Sequence, residues 1–249
     1  MSRETVVLVG RSEVRSVAER HADRLRNAGI ADAVTTATYE TEPEAELREP
    51  LSAVTGDRTY AVPLCFAHTH ETLKGVPRAL ARLSGDVRYC DPIGKSPAVT
   101  DAIRDRARAA SDADSLLLVA FGNSRGDHAR TSASFHAARL RDEFDEVRAA
   151  FLLQSPAVEC ARYTLRADRA VACPLFVADC EATRDRIPER LELGRGGIDY
   201  AEPFGADEAV TDAIAVAVER ARANAEVSAP SPDLVADAEP VATDGSGRD

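Results

Sequence analysis

Two histidines one residue apart, His68 and His70, stand at the end of Tyr60-Ala-Val-Pro-Leu-Cys-Phe-Ala-His-Thr-His70, directly behind an apolar run. In an extended segment alternate side chains share a face, so both imidazoles could reach one ion. Neutral imidazole ligates divalent metals and accepts protons near pH 7. An exposed loop pair, or a histidine capping the helix behind it, would read the same way. Arg11 and Ser12 follow Gly10 at the end of the first apolar run, and Asn123-Ser124-Arg125-Gly126 follows another. Both loops precede a helix, where free N–H groups and a guanidinium favour a bound anion; a surface arginine is the plainer alternative. The second half offers Asp179 and Glu181 around Cys180. Those carboxylates disfavour a thiolate there, and Cys65 reads as buried inside a strand. No G-x-S-x-G elbow, G-x-G-x-x-G fingerprint or P-loop occurs, so nucleophilic and nucleotide chemistry have no support. His21 and His136 sit inside helical patterns and read as structural, while His128, at a helix start, fits either role.

Alternating strands and helices must position these residues. Apolar runs at Thr5–Gly10, Ala33–Tyr39, Tyr60–Phe66 and Asp86–Cys90 read as strands, with helices over Ser12–Asn27, Glu42–Val54, Glu71–Leu83 and from Ser96-Pro97 to about Ala110. The pattern then restarts, with strands at Ser115–Phe121, Val147–Leu153, Ala170–Val177 and Ile198–Ala201. Helices are expected from about Asp127 to Phe144, from Ser155-Pro156, and up to Leu193. Tyr89 to Ile103 and Tyr200 to Ile214 are identical at nine of fifteen positions, at an offset of 111 residues. The same offset lays Pro63 on Pro174, Thr72 on Thr183 and Pro77 on Pro188, with Asp179 where the first copy has His68 and Glu181 where it has His70. Repeated βαβ units imply an α/β fold of two tandem, similar domains, each a four-stranded parallel sheet flanked by helices. The expected boundaries are 1–112 and 113–226, with a tail over 227–249 whose composition predicts disorder.

The net charge of −11 argues against a nucleic-acid partner. Lys74 and Lys95 are the only lysines among 31 basic residues. A surface adapted to high salt and a GC-rich genome both account for that bias. Five dispersed cysteines without a C-x-x-C pair fit a reducing compartment. No apolar run approaches 18 residues and the first strand leaves no room for a signal peptide, so no membrane partner and a cytoplasmic location are expected.

The strand–Gly–loop near the start, the Val62-Pro-Leu segment leading to His70 ahead of a Val76-Pro77 helix, and Tyr89-Cys-Asp-Pro-Ile-Gly-Lys-Ser-Pro-Ala-Val99 resemble the CbiX/SirB sirohydrochlorin chelatases in their long, two-domain form. Ala120-Phe-Gly-Asn-Ser-Arg-Gly-Asp127 and Pro174 to Asp179 are similar to the corresponding second-half segments, so the likeness covers about residues 4–225. The resemblance implies ATP-independent insertion of Co2+, or of Ni2+ or Fe2+, into a sirohydrochlorin-like tetrapyrrole. It implies two histidines as metal ligands or proton acceptors. One maps onto His70, or onto His68 with a shifted loop; the other maps onto Arg11, because this chain reads Leu-Val-Gly-Arg-Ser. A guanidinium does neither task. Either His68 and His70 jointly replace the missing ligand, or the chain is a non-catalytic binder of metal or tetrapyrrole. A polycarboxylate substrate would be met by Arg11 and Arg125, with Ser12, Asn123 and Ser124 in the same loops. The oligomeric state is left open.

Overall fold

Each apolar run becomes a strand of one of two parallel sheets. The computed structural model describes residues 3–123 and 126–228. The first sheet contains β1 (Glu4–Arg11), β2 (Ala33–Tyr39), β3 (Arg58–Pro63) and β4 (Asp86–Tyr89), in the order β2-β1-β3-β4. The second contains β5 (Ser115–Ala120), β6 (Glu146–Phe151), β7 (Ala170–Pro174) and β8 (Ile198–Tyr200), in the order β6-β5-β7-β8. The first half carries α1 (Arg15–Asn27), α2 (Pro43–Glu46), α3 (Arg48–Ser52), α4 (His70–Leu73), α5 (Gly75–Leu80) and α6 (Pro97–Ala110). The second carries α7 (His128–Leu140), α8 (Val158–Thr164), a π-turn (Ala182–Arg186) running into α9 (Ile187–Arg190), and α10 (Glu208–Ser228). Identical strand order in both copies is the two-domain α/β architecture that the repeat implies.

A parallel sheet covered on both faces needs apolar residues at consecutive positions, and β1 shows where they go. Val6 and Leu8 enter a core shared by both halves, together with Tyr60, Val62, Leu116, Leu118, Val171 and Cys173. Val7 and Val9 face the other way, onto Leu51, Val76 and Leu80. Leu117 and Val119 of β5 likewise face outward, onto Val158, Ile187 and Leu191. The shared core is filled by α1, α6, α7 and α10, and each fully buried Leu or Val in it contributes about 1.5–3 kcal/mol.

The last helix of each half lies against the other half's sheet, α10 beside β3 and α6 beside β7. Arg222 of α10 reaches Glu4 Oε2 at 2.6 Å and the Ile30 carbonyl at 3.0 Å, and its guanidinium lies 5.5 Å from the Tyr60 ring centre. Arg106 of α6 reaches Asp207 Oδ2 at 3.0 Å and the Phe204 carbonyl at 2.6 Å. His21 of α1 holds Thr211 Oγ1 at 2.8 Å and the Gly205 carbonyl at 3.2 Å, and His136 of α7 holds Thr100 Oγ1 at 2.8 Å. Thr100 and Thr211 are the same position of the repeat, so one buried His–Thr clasp occurs twice. Both histidines are structural, as their helical context suggested.

Several boundaries differ from the sequence reading for identifiable reasons. The runs expected to continue to Phe66 and Val177 stop being strand at Pro63 and Pro174, because proline has no N–H for the ladder. Cys65 therefore lies beyond β3 rather than inside it. The helix expected over Glu42–Val54 is two short ones, and the Glu46 carboxylate turns back to accept from the backbone N–H of Glu40, Thr41 and Glu42 at 2.6–2.9 Å. The Glu71–Leu83 helix is also split, and Gly75 opens its second piece where a Cβ would lie 3.0 Å from Pro43 Cγ. The helix expected from Ser155-Pro156 begins at Val158. α10 runs through Ser228, so the expected tail begins with two helical residues; 229–249 lie outside the described residues.

Candidate functional site

The segment after β3 is held from both sides. Phe66 is buried and packs on Phe204 of the other half, with ring centres 4.8 Å apart. Thr69 then caps α4 through a reciprocal box. The Thr72 N–H donates to Thr69 Oγ1 at 3.4 Å, and the Thr69 N–H donates to Thr72 Oγ1 at 2.8 Å. The Thr72 hydroxyl also lies 3.2 Å from the Thr69 carbonyl and 3.2 Å from His68 Nδ1. Nδ1 is therefore the ring nitrogen engaged by the cap, and Nε2 is the one on the far side of the ring. The half-buried His68 ring has its pKa lowered by burial first, then by the His128 and Lys95 charges, with Asp91 opposing. It is neutral at neutral pH. Tyr89 walls it at 6.1 Å between ring centres and donates its hydroxyl to the Thr72 carbonyl at 2.9 Å.

The second copy repeats this platform with different chemistry. The Cys180 N–H donates to Thr183 Oγ1 at 2.9 Å, Tyr200 donates to the Thr183 carbonyl at 3.1 Å, and Thr183 Oγ1 donates to Asp179 Oδ1 at 2.8 Å. A carboxylate paired with Arg184 at 3.5 Å thus occupies the imidazole's place.

His70 is exposed as the first residue of α4, across the cap residue Thr69 from His68. Arg11 ends β1, exposed, with Nε 3.5 Å from Glu13 Oε2. Burial raises the Glu71 carboxyl pKa. The hydrogen bond from Thr69, its own N–H and the charges of Arg11 and His70 outweigh burial and hold it below the ordinary value. Arg11, His70 and Glu71 therefore gather at one rim. Ser12 opens a 3-10 turn (Ser12–Val14) that Gly10 permits, since a Cβ there would overlap Val14. The Asn123 N–H donates to Gln154 Oε1 at 2.7 Å, behind Gly122 with φ +81°. Ser124 and Arg125 lie outside the described residues.

The ring that closes on His68 comes from the other half. His128, first residue of α7, lies 5.6 Å from it between ring centres, at 82° between planes. Sequence reading left its role open, because sixty residues and a repeat boundary separate the two. Among the described residues no three His, Cys, Asp or Glu side chains converge as a closed metal centre. Burial pushes the thiols of Cys65, Cys90 and Cys173 up to about 12, so none offers a thiolate.

Two stretches of the chain, residues 6–110 and 115–221, each match the CbiX family model. A probable sirohydrochlorin cobaltochelatase of Halobacterium salinarum is 28% identical over 201 residues, 68% of this chain and 68% of that one. The sirohydrochlorin chelatase SirB of Bacillus subtilis subspecies spizizenii, solved in complex with cobalt, superposes with a TM-score of 0.72 at 15% identity over 91% of this chain and 98% of that one. A multi-domain protein of Deinococcus radiodurans with structural similarity to chelatases superposes at 0.71 and 22% identity over 89% of this chain, which spans 56% of that protein's length. At these identities the superpositions establish the fold.

Proposed function

We propose that this chain, which belongs to the CbiX family, inserts a divalent metal, Co2+ foremost and Ni2+ or Fe2+ as alternatives, into a sirohydrochlorin-like tetrapyrrole without ATP. The observation that carries this reading is His68, an imidazole held through Nδ1 by Thr72, beyond the carboxyl end of β3 and facing the second half. Ligands of parallel α/β sheets sit at that end. Metal insertion requires a donor that gives up the ion and a base for two pyrrole protons. An imidazole lone pair serves either step. His70, at the rim beside Glu71, is the outer imidazole of the same site. Arg11 pairs with a substrate carboxylate in this reading, with Ser12 and Asn123 in the same two loops, and Ser124 and Arg125 are carried over from the sequence as further contacts. The name of the Halobacterium relative supports cobalt. Among the described residues no helix is long and apolar enough to cross a membrane, and the acidic chain suits a cytoplasmic enzyme with no nucleic-acid partner.

Incubating the purified chain with sirohydrochlorin and Co2+ and following the absorbance change tests the reading. His68→Ala should slow insertion by roughly 10²-fold or more. A variant that keeps the wild-type rate removes His68 from the site. Arg11→Ala should raise KM with kcat nearly unchanged, since a carboxylate contact is shared by ground and transition states. A fall in kcat alone would instead place Arg11 in the chemistry. The second reading, a non-catalytic binder, is favoured by arginine at position 11. It gains if sirohydrochlorin binds and stays unmetallated with all three ions.

A further inference from the structure

A guanidinium cannot ligate a cation, so an ion carried by His68 needs its second donor from somewhere other than position 11. We propose that His68 and His128 together form a divalent-metal site bridging the two halves of the chain. The site takes its purpose from the chelatase reading, but its geometry stands without it.

An imidazole nitrogen about 2.1 Å from an ion puts its ring centre about 3.2 Å away. Two such ligands then have centres about 5.3 Å apart at a tetrahedral angle and about 5.6 Å apart at 120°. The observed separation is 5.6 Å. The Thr72 hydroxyl engages His68 Nδ1 at 3.2 Å, which leaves Nε2 as the ring nitrogen for an ion. Among the described residues no side-chain hydrogen bond engages the His128 ring.

The two rings are also fixed relative to one another. Ser132, one turn along α7 from His128, is buried and donates to the Gly94 carbonyl at 2.5 Å. Gly94 in turn packs against the peptide of Phe66, two residues before His68. A chain of contacts therefore ties the helix carrying one ring to the loop carrying the other, as preorganised ligands require. Asp91 is near enough to His68 to oppose the lowering of its pKa, and brings negative charge to the site. Two nitrogen donors leave the remaining positions of the ion to water or to incoming macrocycle nitrogens. That openness suits an ion that must leave, where a closed four-ligand site would keep it. The counterpart position in the second half is occupied by Asp179, ion-paired with Arg184, so the site occurs once per chain.

Titrating the full chain with Co2+ alone, without tetrapyrrole, tests the proposal through binding heat and the visible bands of bound Co2+. One Co2+ per chain is expected. His128→Ala and His68→Ala should each lower the affinity at least about tenfold. The double variant should be little weaker than either single one, because removing one ligand already breaks the shared site. His128→Asp, which keeps a donor, should recover part of the loss. His128 is exposed, and circular dichroism confirms that its variants remain folded. The proposal is overturned if His128→Ala binds Co2+ within about twofold of wild type, if His70→Ala alone removes binding, or if the two single effects simply add. Co2+ binding that needs the pair, beside sirohydrochlorin that stays unmetallated, would sink the chelatase reading and leave this site intact. Wild-type affinity and insertion in His128→Ala would do the reverse.

Discussion

Gly94→Ala is expected to cost this protein more than about 4 kcal/mol, the range reserved for a steric fault with no room to relax. An added Cβ would sit on the Phe66 carbonyl oxygen, 2.5 Å from its carbon and 2.6 Å from Ser132 Oγ. All of these are buried, and two are backbone. Relief would require moving the loop that carries His68 away from the loop after β4, and it would strain the bond from α7 to the Gly94 carbonyl. The denaturant midpoint should collapse, and whatever folded fraction remains should bind Co2+ poorly. Gly205, the same position of the second copy, is the control. Nothing lies within 4 Å of a Cβ there, and only its φ of +59° opposes a side chain. Gly205→Ala should therefore cost about 1–2 kcal/mol. Equal midpoints for the two variants would show that the Phe66 loop yields, and that Gly94 does not hold the site together.

Acid should loosen the joint between the halves well before most carboxylates are protonated. Burial, first of all, drives the pKa of His21 down to about 4, reinforced by Arg24 and Arg20 and opposed by the Gly205 carbonyl and Asp207. Burial drives His136 down to about 4 as well, with the Gly94 carbonyl opposing. That opposition is weak: the carbonyl already accepts from Ser132, and His136 Nε2 has no hydrogen bond of good geometry. The unfolded chain protonates both rings near 6.5, so below that pH it binds more protons than the native state and stability falls with pH. The loss begins near pH 6.5 and levels off near pH 4. It reaches about 3 kcal/mol for each ring, and about 4 kcal/mol for the two together by pH 5. Domains of this kind hold only about 5–15 kcal/mol in all. Denaturant midpoints from pH 8 to pH 4 measure this slope. It should flatten in the double variant His21→Gln, His136→Gln, and an unchanged slope would assign the acid sensitivity to other groups.

The strands were legible because parallel strands buried on both faces leave unbroken apolar runs. Ala33–Tyr39 needed no adjustment at either end, and the two runs that overshot furthest did so past a proline. The split helices were not legible. Glu46 folding back on its own N-terminal turn and Gly75 pressed on Pro43 are contacts, not periodicities. His68 and its place behind a strand were legible. Its contact with a threonine hydroxyl four residues on was not. His128 was legible only as a residue that fits either role. Within its own repeat it is an ordinary first residue of a helix, and only the folding of one half onto the other gives it a neighbour.

The exchange of the last helices has a consequence for how the two copies could diverge. With α10 on the first sheet and α6 on the second, either half alone would leave residues such as Tyr60 or Val171 without the helix that covers them. The pair is in effect a two-fold dimer written into one polypeptide. In a dimer of identical chains every substitution appears on both sides of the axis, so a carboxylate at one platform forces a carboxylate at the other. A single polypeptide is free of that constraint. It can keep an imidazole on Thr72 and place an aspartate on Thr183, and so give two copies of one scaffold different side-chain chemistry.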